Sequence, residues 1–193
     1  MKPTLFIMAK APIMGRAKTR LAADIGVTHA KRHYRGMMAT ILRHVQDPRW
    51  LTILAVTPPA SLGQIPDWQG ITQIPQVSGS LSPRLAQIFA RKGPTLVIGT
   101  DSPQVRSRDI AAAFQALRHT DVVFGPASDG GFWLMGANGP LSPAKFEGVR
   151  WSTEHTLADI KAQFGRVATL RTLTDIDDLQ ALKAYRRSHF QSR

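Results

Sequence analysis

The sequence predicts an α/β fold of three layers, αβα, with a mostly parallel central sheet. Short apolar runs alternate along the chain with longer segments whose apolar residues recur at helical spacing, which is typical of a parallel sheet covered by helices on both faces. The 193 residues are 43% hydrophobic, enough to bury a substantial core, and no Gly/Ser-rich linker or internal repeat divides them. We therefore expect a single domain over residues 1–193.

The first half of the chain predicts three strands and three helices. In order, they are a strand over 5–8, a helix beginning near Leu21, a helix from Thr28 to about Val45, a strand over 51–57, a short strand near 71–74 and a helix over 82–91. The second of these helices is well marked, because its apolar residues share one stripe and Asp47-Pro48 follows its end. The stripe consists of Ala30, Tyr34, Met37, Ile41 and Val45.

The second half continues the alternation. Its expected elements are a strand over 95–99, a helix from Ser107, strands over 121–124 and 132–135, a helix over 153–164, a strand over 167–170 and a helix over 177–190.

A cationic loop follows the first strand. Pro12 and Gly15 break the apolar pattern, and four cations lie in or beside the break: Lys10, Arg16, Lys18 and Arg20. A loop-to-helix junction presents free backbone N–H groups and the positive end of a helix dipole, so this segment predicts a site for a nucleotide phosphate chain. Its spacing matches neither the P-loop nor Gly-x-Gly-x-x-Gly, and a solvated basic surface is the alternative interpretation.

A carboxylate ends the strand over 95–99, in Thr100-Asp101-Ser102-Pro103. The carboxyl ends of parallel strands form the ligand-binding edge of open α/β sheets, so Asp101 is placed to hold Mg²⁺ or Mn²⁺ together with phosphate oxygens. Asp and Ser also form turns before proline, and the two roles are compatible.

Two glycines and an aspartate stand between the next two strands, in Asp129-Gly130-Gly131-Phe132-Trp133. A hairpin turn accounts for Asp-Gly, while paired glycines also let a ligand approach the backbone. Phe132 or Trp133 could stack on a base or sugar, and at least one of the two is expected in the core because alternate strand residues face opposite ways.

Three carboxylates precede the last helix, in Asp175-Ile-Asp177-Asp178. Acidic residues in a first helical turn stabilise the helix dipole. The functional alternative is that one of them completes the metal site begun by Asp101.

Taken together, these motifs resemble a small bacterial glycosyltransferase-like family with the GT-A, or nucleotide-diphospho-sugar transferase, fold. The matching segments are Ala9-Lys-Ala-Pro-x-x-Gly-Arg-x-Lys-Thr-Arg-Leu21, Gly99-Thr-Asp-Ser-Pro103, Gly125-Pro-Ala-x-Asp-Gly-Gly131, Trp151-Ser-Thr153 and Asp175-Ile-Asp177. The first loop and the Asp-Ser-Pro element are also distantly similar to phospholactate and molybdopterin guanylyltransferases. The chain departs from the family at Gly79-Ser80-Leu81-Ser82, where the family usually has Gly-Asp-Leu-Gly, and at Phe132, where it more often has Tyr.

The resemblance implies an enzyme that transfers a glycosyl or a nucleotidyl group from a nucleotide or nucleotide-sugar donor, with Mg²⁺ or Mn²⁺ held by Asp101 and Asp177. Lys18 and Arg16 would neutralise charge on the leaving phosphate or pyrophosphate, and Asp129 is the candidate general base. The candidate nucleotide-binding residues are Ala9, Lys10, Gly15, Arg16, Lys18, Thr19, Arg20, Gly130 and Gly131. The acceptor is an unidentified small molecule.

Composition sets the competing hypotheses. A formal charge of +12 favours anionic partners, so the alternatives are a nucleic-acid or polyanion-binding protein and a non-catalytic, degenerate transferase fold. The cations, Arg84 among them, are scattered along the sequence, which indicates that most of them lie on a solvated surface with only nonspecific contact to nucleic acid. The absence of Cys excludes thiolate nucleophiles and Cys-ligated zinc. No long apolar span or leader is evident, and we expect a cytoplasmic protein.

Overall fold

The computed structural model describes residues 2–13 and 18–190. Seven strands form one sheet: β1 (Thr4–Lys10), β2 (Leu51–Thr57), β3 (Thr72–Pro75), β4 (Thr95–Ile98), β5 (Val122–Pro126), β6 (Phe132–Ala137) and β7 (Val167–Thr169). Six helices accompany them: α1 (Thr19–Ile25), α2 (Val27–Val45), α3 (Leu81–Phe89), α4 (Ser107–Ala116), α5 (Thr156–Lys161) and α6 (Leu179–Phe190). Short 3₁₀ turns lie at Pro59–Ser61, Pro66–Trp68 and Pro143–Phe146.

The strand order is β3-β2-β1-β4-β6-β5-β7. All neighbouring pairs are parallel except those of β6, which runs antiparallel to both β4 and β5. The mostly parallel sheet predicted from the sequence is therefore confirmed. The carboxyl ends of β2, β1, β4 and β5 meet at one edge, and the chain leaves that edge at Thr57, Lys10, Gly99 and Ala127.

Helices cover both faces of the sheet, as the αβα prediction requires. Leu5 and Ile7 face the layer of α2 and α4, where they pack with Ile41 and Ile110. Phe6 points to the opposite face, because side chains alternate along a strand, and it packs in the layer that contains α3 and α5. A third cluster joins α1 and α6 to the outer side of α2 through Leu21, Met37 and Leu182.

The predicted apolar stripe of α2 is confirmed: all five of its residues are buried. From the sequence, Thr28 is the candidate N-cap of this helix. The helix begins instead at Val27, and its N-cap position is Gly26 with φ 82°, two residues earlier. The two helices after β6 and β7 are shorter than predicted, α5 beginning at Thr156 and α6 at Leu179. Before α5, Thr153 lies in a bend and donates its hydroxyl to the carbonyl of Arg150. Before α6, Asp177 accepts hydrogen bonds from Lys18 and Arg20.

Candidate functional site

A cavity of about 710 Å³ opens at the carboxyl edge of the sheet. Its charged lining residues are the cations Lys10, Lys18, Arg20 and Arg84 and the carboxylates Asp101, Asp129, Glu154, Asp175 and Asp177. Uncharged parts of the wall include Thr57, Gln76, Gly131, Phe132, Ser152 and Thr153. Residues from both ends of the chain and from its middle therefore meet in one space, where the sequence predicted a nucleotide site.

The loop after β4 and the segment before α6 are held together by backbone hydrogen bonds. The N–H of Ile176, a fully buried residue, donates to the carbonyl of Asp101 at 2.8 Å. Leu173 in turn donates to the carbonyl of Pro126, at the end of β5. This pairing brings Asp101 and Asp177 to the same part of the cavity, although they are 76 positions apart in the sequence.

Lys18 lies between those two carboxylates. Its ammonium is 2.5 Å from Asp101 Oδ1 and 2.6 Å from Asp177 Oδ1, and it donates to the carbonyl of Ile176 at 2.7 Å. The Lys18 side chain is only 6% exposed. Arg20, which is largely exposed, contacts the second oxygen of Asp177 at 2.6 Å. The two carboxylates and two cations balance in charge.

The backbone of Lys18 is left-handed, with φ 53° and ψ 51°. Within the described residues, Lys18 and Ser152 are the non-glycine positions with positive φ, and both line the cavity. A left-handed conformation disfavours a residue with a Cβ atom by roughly 1–2 kcal/mol, so surrounding contacts must hold it in place. The three contacts of the ammonium supply that restraint.

Asp175 adds a third carboxylate at this position. Its Oδ1 accepts a hydrogen bond from the Ser102 hydroxyl at 2.5 Å. Burial raises the pKa of Asp175 to about 6, and the negative charges of Asp101, Asp129 and Asp177 act in the same direction, against the effect of the Ser102 bond. Asp178 has a different role: its Oδ1 accepts from the N–H of Ala181 at 2.8 Å and so caps α6.

The turn between β5 and β6 is a hairpin turn that also lines the cavity, so it agrees with both interpretations that the sequence left open. Asp129 Oδ1 accepts from the N–H of Gly131 at 2.9 Å, as in an Asp-Gly turn, and both residues also line the cavity. Gly130 has φ 87°, and a Cβ atom there would lie 2.2 Å from the carbonyl oxygen of Glu154. The loop over 152–156 can therefore approach this turn only because residue 130 is glycine.

The two aromatic residues after that turn separate as predicted. Trp133 is 4% exposed, packs in the core and donates its indole N–H to the carbonyl of Arg171. Phe132 lines the cavity and makes edge contacts with Phe124 and Trp151.

The departure at Gly79-Ser80-Leu81-Ser82 is part of the wall. Ser82 donates its hydroxyl to the carbonyl of Phe146 at 2.9 Å and accepts the indole N–H of Trp151 at 2.7 Å. The hydroxyl thus connects the start of α3 to the loop that carries Ser152 and Thr153.

Arg84 is an exception to the solvated surface that the sequence predicted for most of the scattered cations. It lines the cavity, its Nη1 donates to Gln76 Oε1 at 3.3 Å, and its Nε is buried without a partner among the described residues. Gln76 is 5% exposed and is fixed by bonds from its Nε2 to the carbonyls of Ala55 at 2.6 Å and Ala9 at 3.4 Å. The sequence held a signal for this position: residues 81, 84, 85 and 88 follow the i, i+3, i+4, i+7 pattern of a buried helix face.

The other predicted nucleotide-binding residues take several positions. Lys10 lines the cavity, and its backbone N–H and carbonyl both bond the hydroxyl of the buried Tyr34. Ala9 is fully buried beneath the cavity, and Thr19 is the first residue of α1. Gly15 and Arg16 lie outside the described residues.

Some features of the cavity favour the predicted metal site, and others oppose it. Carboxylate oxygens are the donors that Mg²⁺ and Mn²⁺ prefer, and Mg²⁺ often binds through one or two carboxylates plus substrate phosphates, so Asp101 and Asp177 fit such an ion chemically. In the part of the chain that the structure describes, no group of three or more His, Cys, Asp or Glu side chains is arranged to hold a metal ion. The ammonium of Lys18 already bridges the two candidate ligands.

Comparison with known proteins gives the family. The model of the family described as "Uncharacterized protein conserved in bacteria (DUF2064)" matches residues 40–153. The chain belongs to this family. No curated protein matches it.

Solved structures share the fold. A protein from Desulfovibrio desulfuricans G20, provisionally assigned as a nucleotide-diphospho-sugar transferase, superposes with a TM-score of 0.85 at 22% identity, covering 97% of this chain and 87% of that one. CMP:2-keto-3-deoxy-manno-octonic acid synthetase complexed with CTP gives 0.58 at 13% identity, with both chains fully covered. Rv0371C of Mycobacterium tuberculosis H37Rv, in complex with manganese, gives 0.55 at 14% identity, covering 95% and 97%. The GT-A type of fold predicted from the motifs is confirmed.

The described helices contain no segment both long and apolar enough to cross a membrane.

Proposed function

We propose that this protein is a nucleotide-dependent transferase, which takes a glycosyl or nucleotidyl group from a nucleotide or nucleotide-sugar donor with the help of Mg²⁺ or Mn²⁺. The observation that carries the proposal is the meeting of Lys10, Lys18 and Arg20 with Asp101 and Asp177 in one cavity at the carboxyl edge of the sheet. Cations suit the phosphate chain, and the carboxylates suit the metal that accompanies it. The CTP and manganese complexes of proteins with this fold support the same assignment.

Each group of cavity residues has its own role in the proposed reaction. Lys10, Lys18 and Arg20 bind and orient the donor phosphates and stabilise the charge that grows on the leaving group. Asp101 and Asp177 would hold the divalent ion, which supplies further neutralisation of phosphate oxygens when bound. Asp129 serves as the general base for the acceptor, with its carboxylate oriented by the N–H of Gly131. Phe132 and the loop over 152–156 form the wall on the acceptor side.

Calorimetric titration with CTP, GTP, UTP, ATP, UDP-sugars and GDP-sugars, each with and without Mg²⁺ or Mn²⁺, tests the proposal. We expect at least one of them to bind in a metal-dependent manner, and Lys18→Ala to weaken that binding by roughly tenfold or more because a charge-assisted contact is lost. Lys92→Ala is the matched control, since Lys92 is an exposed cation outside the cavity.

If Lys18→Ala and Lys92→Ala lose the same nucleotide affinity, the loss comes from the change in net charge and not from a contact in the cavity. Failure of every nucleotide to bind would contradict the proposal. With a bound donor identified, release of pyrophosphate indicates nucleotidyl transfer, and release of a nucleoside diphosphate indicates glycosyl transfer.

A further inference from the structure

The ammonium of Lys18 occupies a complete binding site within the protein. A lysine ammonium has three N–H donors, and three acceptors surround this one: a carboxylate oxygen of Asp101, a carboxylate oxygen of Asp177 and the carbonyl of Ile176, all within 2.7 Å. With 6% of its side chain exposed, Lys18 has little contact with solvent. Nothing in this arrangement leaves the ammonium directed at a phosphate.

A divalent ion held by Asp101 and Asp177 would use the same oxygens. Two cations bound to the same pair of carboxylate oxygens would lie within a few ångström of each other, where their repulsion is strong in a partly buried site. The Lys18 ammonium and the metal are therefore alternative occupants of one position.

The charges of the cluster support this exclusion. Asp101 and Asp177 carry two negative charges, and Lys18 and Arg20 carry two positive ones, so the two cations neutralise the two carboxylates that a free divalent ion would need as ligands. A nucleotide phosphate chain changes the balance because it offers new acceptors to both cations. The left-handed backbone of Lys18 is consistent with a residue held by its side-chain contacts and released when they are exchanged.

We infer that Lys18 is an internal counter-ion that fills the cation site between Asp101 and Asp177 until donor phosphates draw it away, so that the divalent metal binds together with the nucleotide and only weakly before it. The inference rests on the proposed function and adds an order of binding to it. It also requires reciprocity: the metal must raise nucleotide affinity by the factor by which the nucleotide raises metal affinity.

Binding of Mn²⁺ alone, followed by the electron paramagnetic resonance signal of the free ion, tests the inference without turnover. Lys18→Met removes the charge and keeps an unbranched side chain. We expect it to bind Mn²⁺ roughly tenfold more tightly than the wild type, within the usual range of coupling between sites. Lys18→Arg keeps the charge and should bind Mn²⁺ as weakly as the wild type, and Lys92→Met should change nothing.

The double variant Lys18→Met with Asp101→Asn must lose the gain, since one of the two carboxylates is then absent. Circular dichroism checks that each variant folds, and Lys18→Gln, which is neutral but retains a donor, replaces Lys18→Met if that variant unfolds.

The inference is overturned if wild type and neutral Lys18 variants bind Mn²⁺ equally well. Metal-dependent nucleotide binding in the wild type combined with that result would leave the proposed function standing and remove only the counter-ion role. Absence of nucleotide binding would remove the proposed function, whatever Mn²⁺ does.

Discussion

Two clusters in the same cavity differ in whether their charged groups already have partners within the protein. The acidic cluster, formed by Asp101, Asp175 and Asp177 with Lys18, is bonded within the protein: the Lys18 ammonium has three acceptors, and Ser102 donates to Asp175. The guanidinium cluster, formed by Gln76 and Arg84, leaves Arg84 Nε buried and without a partner among the described residues. A ligand must therefore displace existing contacts in the first cluster, whereas in the second it can add contacts that the protein lacks.

The largest effect is expected from the acidic cluster. Asp101→Asn keeps the shape of the side chain but removes the charge required by a divalent ion, so metal-dependent nucleotide binding should weaken by roughly 100-fold or more, beyond the loss typical of groups that only support metal ligands. Calorimetry with Mg²⁺ measures the loss. Asp121→Asn, at an exposed carboxylate paired with Arg166, is the control and should be neutral.

If Asp101→Asn unfolds, or if its nucleotide binding still depends on the metal, Asp101 is a turn residue. The proposed difference between the two clusters would then be wrong.

A smaller effect is expected from the guanidinium cluster. Arg84→Met should lower nucleotide affinity by roughly tenfold, the scale of one charge-assisted hydrogen bond, because a guanidinium that lines the cavity can donate to a phosphate oxygen. The free protein should be as stable as the wild type or slightly more so, since a buried donor without a partner is removed. Calorimetry and urea unfolding give the two quantities, with Arg118→Met as the exposed control. Strong destabilisation without a change in affinity would make Arg84 a packing residue.

The smallest expected effect is a pH dependence of stability that comes from Asp175 in the acidic cluster. The pKa of Asp175 is about 6 in the folded protein and 3.8 ordinarily, so the folded state binds more protons than the unfolded state between these values. This group therefore reduces the free energy of unfolding as pH rises from about 4 to 6. Asp175→Asn should be more stable than the wild type above pH 6, by on the order of 1 kcal/mol, with the difference vanishing near pH 4.

Urea unfolding at several pH values measures the difference. A constant offset between Asp175→Asn and the wild type at all pH values would show that the substitution acts through the Ser102 contact and not through the charge.

Much of the fold followed from local patterns. The stripe of α2 and the hairpin around Asp129 and Gly130 depend on residues close in sequence, and the predicted strands and helices were found with shifts of a few residues. The meeting of Asp101 with Asp177 was expected from the family resemblance, since each adjoins an element at the carboxyl edge of the sheet.

The side-chain contacts inside the cavity could not be predicted from the sequence. No local pattern states that the Lys18 ammonium lies on two aspartates, because the partners are 83 and 159 positions away. The burial of Asp175 depends on packing of the segment before α6 against two loops. Arg84 stood on the apolar face of α3 in the sequence, but its charge alone favoured the surface interpretation.

The bonds from Lys18 to Ile176 and Asp177 have a consequence for biosynthesis. A ribosome delivers Lys18 159 positions before Asp177, so the sheet edge lacks one of the two carboxylates that contact Lys18 until after the strand β7 has been made. A released chain truncated before residue 177 therefore contains β1 to β7 and still lacks the cation site. Chains released at successive lengths should acquire metal-dependent nucleotide binding abruptly, after the last strand and not in proportion to length.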